Sequence, residues 1–138
     1  MAAGDVLKES GLIIEKFTVK ANEDIEEGEI VYNDGNGVLA ASAGAKGPFF
    51  MALENHDYSE ESTHKVKCVV AGFVEAQKVS GSGGGKQGRY VEVSGTDGEV
   101  ALWDYTTPGD WFDVVGVLTE DAADGDTTAK ILLGHGGK

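Results

Sequence analysis

Apolar and polar residues alternate along this chain over short runs, and clusters of Gly, Asn, Asp and Ser separate the runs. Alternation sends successive side chains to opposite faces of a pleated strand, so such runs predict half-buried strands. Residues 12–21, LIIEKFTVKA, predict the first strand through their β-branched content. Residues 29–32 and 38–41 flank the turn NDGNG and predict a hairpin, because Asn-Asp-Gly readily takes the positive φ of tight turns. PFFMALE at 48–54 predicts a strand and NHDYSEESTH at 55–64 a polar loop. HKVKCVVAGFVEAQKV at 64–79 predicts one long strand, or two broken near Gly72. A second hairpin follows at 88–103, GRYVEVSGTDGEVALW, then a turn over 106–113 and two closing strands around an acidic turn in 114–134. No stretch sustains the i, i+3, i+4, i+7 pattern of an amphipathic helix, although residues 120–124 have the composition of one helical turn. The predicted class is all-β, a compact β-barrel or β-tulip-like domain of short strands.

Two segments stand apart from this pattern. Residues 1–15 mix small, charged and apolar positions without steady period and read as a flexible N-terminal arm ahead of a single β domain over 16–138. SGSGGGKQG at 80–88 reads as a flexible tip, since it carries no side chains suited to a core. The chain also echoes itself. Residues 28–39 align with 88–100 with one extra residue in the second copy, MALE at 51–54 aligns with GVLT at 116–119, and KVKCVV at 65–70 with TAKILL at 128–133. Internal duplication explains this; so does the resemblance of any two valine-rich hairpins.

Composition narrows the function. The 138 residues form one domain large enough to bury roughly two thirds of its unfolded surface. Twenty-one glycines against two prolines suit many tight turns. Eleven basic residues face 24 acids, giving a net charge of −13, and Arg89 is the sole arginine. Such a field repels a phosphate backbone, so no nucleic-acid partner is expected. The acidity fits solubility, or adaptation to high salt. Cys68 is the single cysteine, within VKCVVAGFV, and reads as a buried structural thiol. The first residues, with charges around a very short apolar patch, read as neither signal peptide nor membrane span.

Motifs for chemistry fail on inspection. Gly83, Gly85 and Gly88 match GxGxxG, but a strand follows where a dinucleotide site needs a helix, and Gln87 follows Lys86 where a P-loop needs Ser or Thr. The oxygens of NDGNG and EDAADGD attract comparison with calcium loops, yet neither has that spacing and both suit turns. His56, His64 and His135 lack the paired spacing of a metal site, and no serine sits in a nucleophile elbow. The sequence therefore predicts no catalytic residue, no cofactor and no metal. Trp103, Tyr105, Trp111 and Phe112 gather around the turn at Pro108. They read as a small satellite core under a loop, or as rigid aromatic anchors of an oligomer or partner interface. Trp103 and Trp111 would also suit a sugar-stacking platform, the basis of an alternative reading as a carbohydrate-binding or adhesive domain.

From FTVKANEDIEEGEIVYNDGNGVLAA through VVAGFVEA to VVGVLTEDAADGDTTAKILLG, residues 17–134 resemble the head decoration, or cement, proteins of tailed phages and related archaeal viruses. The opening is also similar to small β-clip domains. The first resemblance implies a non-enzymatic capsid stabiliser, made in the host cytoplasm, that trimerises on the outer surface of the virion head over local three-fold positions. It implies the major capsid protein as partner and no membrane contact. It further implies an N-terminal arm that adds an edge strand to the capsid protein, with Leu12, Ile13, Ile14 and Phe17 as its contacts.

Overall fold

The computed structural model describes residues 3–103 and 111–134, without the side chains of residues 6–10 and of Trp111. Among the described residues nine strands form one antiparallel sheet, and no helix is longer than a single 3-10 turn at Trp111–Asp113. The strands are β1 (Val6–Thr18), β2 (Ile30–Asn33), β3 (Val38–Ala40), β4 (Phe49–Ala52), β5 (Lys65–Gln77), β6 (Tyr90–Val93), β7 (Val100–Leu102), β8 (Val114–Leu118) and β9 (Thr128–Leu133). Their order is β3-β2-β4-β5-β9-β8-β6-β7, with β1 also paired to β5.

That order reads the same from either end once β5 is divided near Gly72, and the duplication is borne out in the hydrogen bonds. In the first half the parallel bridge Val19–Val38 and the antiparallel bridge Ile25–His56 curl the sheet back on itself. In the second half Lys78–Val100 and Gly85–Ala122 do the same. Gly28 N–H donates to Ala52 O at 2.8 Å, and Gly88 N–H to Leu118 O at 2.8 Å. Residues 65–70 and 128–133 correspond as the sequence alignment has them, but two other alignments slip. Val38 and Val100 are equivalent, so the second hairpin turn is longer by two residues, not one. Ala52 is equivalent to Leu118, one residue later than the alignment of 51–54 with 116–119. Both slips arise at turns and bulges, where length changes without altering the apolar pattern. β8 is bulged, because Val91 faces Gly116 while Glu92 faces Val114. Gly116 is required there, since a Cβ would lie 2.5 Å from Leu132 O.

Burial is unequal in the two halves. Val19, Val31, Val38, Phe50, Ala52, Val66 and Cys68 fill the inside of the first half, while Ile30, Met51 and Val69 on its other face join Val91, Leu118, Ile131 and Leu133 of the second. β2 and β4 are thus covered on both faces, which is why FFMA of β4 is apolar at every position. The halves are also bonded through the second hairpin tip, with Ile30 N–H donating to Gly98 O and Gly98 N–H to Ala41 O.

Three segments differ from the sequence reading. Residues 120–124 make no helical turn; Ala122 instead exchanges backbone hydrogen bonds with Gly85 at 2.8 and 2.9 Å. Residues 80–88 are no loose tip. Gly81 N–H donates to Asp124 O, Gly83 N–H to Asp124 Oδ1 and Gln87 N–H to Asp121 Oδ1, so acceptors from the acidic turn replace the side chains this loop lacks. Residues 6–15, read as an arm, form most of β1 and pair with β5 in their own chain. They escape the period-two signal because four residues of β1, 9–12, lie between the pairs Lys8–Phe73 and Ile13–Ala71, where β5 has only Gly72. Leu12 folds over that glycine, its Cδ1 3.0 Å from where a Cβ would stand.

Candidate interaction surface

The exposed large apolar side chains among the described residues are Ile13, Ile14 and Phe112. Ile13 and Ile14 owe their shared exposure to a bulge: β1 advances one residue from Ile13 to Ile14 while its partner on β5 advances two, from Ala71 to Val69. A regular strand would have buried one of them. Leu12 and Phe17 face the protein instead. Leu12 packs against the larger core cluster, and the Phe17 ring stacks on Phe50 with centroids 4.5 Å apart. Of the four predicted arm contacts, two are therefore surface and two are structure.

The aromatic turn divides in the same way. Trp103 is half-buried and meets the edge of Tyr90 with centroids 5.8 Å apart. Phe112 is exposed at the 3-10 turn, which is tied to the first half by Gly47 N–H donating to Phe112 O at 2.9 Å and by a Lys46–Asp113 ion pair at 2.7 Å. Tyr105 and the side chain of Trp111 lie outside the described residues.

The acidic residues near the turns are mostly occupied with backbone. Asn33 Oδ1 accepts from Gly35 N–H at 2.8 Å and Asp34 Oδ1 from Asn36 N–H at 2.9 Å, closing NDGNG as an Asx turn. The Lys20 ammonium and the Asn36 N–H hold the Asp34 carboxyl below the ordinary carboxylate range. The Gln87 N–H, and after it Lys86, do the same to Asp121. Both contributions are present above the ordinary carboxylate pKa and are lost as pH falls through the lowered one. Two equivalent corners are left with opposite character. A cleft lined by Asp24, Glu26, Glu27 and Asp57 beside His56 is acidic, while its counterpart is lined by Lys86, Arg89 and Asp121.

A histidine pair escaped the sequence reading, because seven residues of polar loop separate its members. His56 is 2% exposed, its Nε2 lies 3.2 Å from His64 Nδ1, and Tyr58 stacks on the His64 ring at 3.7 Å. These rings close the end of the first half where the second half has Ala122. Among the described residues no group of three His, Cys, Asp or Glu side chains is placed to hold a metal ion. Burial, with the Glu54 charge adding to it, pushes the Cys68 thiol up to about 12, which leaves it without thiolate reactivity at neutral pH.

Comparison of the sequence with family models finds no match, and no curated protein matches it. The fold does have a solved counterpart. The N base of head fiber gp8.5 of bacteriophage phi29 superposes with a TM-score of 0.54 at 16% sequence identity, over 88% of this chain and 94% of that one.

Proposed function

We propose that the chain is a structural component of a phage head that decorates the outer surface of the assembled shell and stabilises it, without catalytic activity. The observation that supports this is the fold shared over nearly the whole length with a phage head fiber base. Within this reading the major capsid protein is the partner and the working unit is a trimer. Multiple weak contacts on one trimer raise the effective concentration of each next contact, so the assembly grips far more tightly than a single chain. The exposed pair Ile13 and Ile14 supplies the apolar part of each contact. The net charge of −13 keeps such a protein soluble and away from a packaged genome.

Purified protein is expected to cosediment saturably with heads of the matching phage. The double variant Ile13→Asp/Ile14→Asp, which changes only exposed positions and keeps its fold, is expected to bind about tenfold or more weakly, the loss of roughly one buried isoleucine. Wild-type protein that stays in the supernatant at every ratio sinks the proposal.

A further inference from the structure

The duplicated halves differ at one sheet edge. On β5, residues 73–75 have β9 on one side and the chain's own N-terminal segment on the other. Val6 and Lys8 are in register with Val74 and Phe73, Gly4 N–H donates to Glu75 O at 2.9 Å, and Glu75 N–H donates to Asp5 O at 3.1 Å. The equivalent residues in the first half are Ile14, Glu15 and Lys16. They pair with Val69, Cys68 and Lys67 just as Phe73, Val74 and Glu75 pair with Leu132, Ile131 and Lys130. Among the described residues no strand lies on their outer side. Val19 N–H donates inward to His64 O, and alternation along the strand then points the N–H and C=O of Ile14 and Lys16 outward, as those of Glu75 point to the N-terminal segment. The exposures follow occupancy: Glu75 is 4% exposed, whereas its equivalent Lys16 is exposed.

We propose that the outer edge of β1 at residues 14–16 is an acceptor for an extended segment of a partner chain, added antiparallel as a further strand. An edge with outward backbone groups beside exposed apolar side chains has the chemistry of strand addition. The segment on the equivalent edge indicates the guest's character. It sets Asp5 next to Glu75, whereas the same place on β1 is next to Lys16, so a guest with an acidic residue there is matched in charge. Apolar residues of the guest cover Ile13 and Ile14. The donor is a different chain and not a second copy, because a second copy would surrender as many backbone bonds on its own β5 as it gained. The inference names a bonding mode for head attachment, yet its test needs no heads, so either idea can fail alone.

The probe is a capped peptide of residues 3–9, AGDVLKE, titrated into isotope-labelled full-length protein and followed by amide NMR. A few backbone bonds predict affinity of about millimolar strength. The expected result is saturable shifts and slowed exchange at the Ile14 and Lys16 amides, weakened at least about fivefold in Lys16→Pro, which removes an outward N–H and leaves the β1–β5 ladder intact. Lys16→Glu, which leaves the backbone unchanged, is expected to weaken binding by reversing the charge match. Absence of saturable shifts, shifts confined to β5, or unchanged affinity in both variants would overturn the proposal. So would protein mass that rises with concentration in the wild type and not in Lys16→Pro, since that assigns the edge to a second copy.

Discussion

Replacing Lys78 with methionine is expected to destabilise the fold by about 3 kcal/mol, lowering Tm by about 10 °C. Lys78 is 2% exposed, and its ammonium donates to the carbonyls of Asp124 at 3.0 Å, Val79 at 3.2 Å and Asp126 at 3.4 Å. It fastens the end of β5 to the acidic turn that in turn holds residues 81–87. Methionine fills similar volume and spares the cost of burying a charge, but three carbonyls lose a charged donor. Val19, the equivalent residue of the first half, has no such duty, so Val19→Met serves as a size control with a smaller loss. Thermal unfolding of the two variants side by side makes the measurement; a Lys78→Met loss below that of the control contradicts the assignment.

Deleting residues 1–12 is expected to cost about 2–3 kcal/mol while leaving a folded domain. The deletion removes the Gly4 and Asp5 hydrogen bonds with Glu75, the pairing of Val6 and Lys8 with β5, and the Leu12 side chain packed over Gly72. Part of the loss is returned. Glu75 Oε2 accepts from Thr128 Oγ1 at 2.9 Å, but Oε1 is buried with no hydrogen-bond partner, and opening its edge lets water reach it. Chemical denaturation decides between a strand and a loose arm: an unchanged midpoint means these residues add nothing to the fold.

Strand positions were readable wherever one local rule acted alone. Alternation marked β5 and β9, and Asn-Asp-Gly marked the first hairpin, because side-chain direction and turn chemistry are decided within a few residues. β4, apolar throughout, gave no alternation, since the duplicated half packs on its second face. β1 was half-read. Its pairing tolerates an excursion at 9–12 that depends on Gly72, a residue sixty positions away in sequence. The glycine loop read as loose because its partners, Asp121 and Asp124, lie in another turn. At the surface, the residue types were legible and their directions were not: Ile13 and Ile14 face outward only because a bulge between them suspends alternation. The His56–His64 contact likewise needs the loop closed before it exists.

Electron cryomicroscopy of matching phage heads, with and without the purified chain, tests head decoration most directly. The expected result is added density on the outer face of the shell that fits the doubly curled sheet, with β1 toward the capsid protein. Identical maps with and without the chain, or density on the inner face, would contradict it.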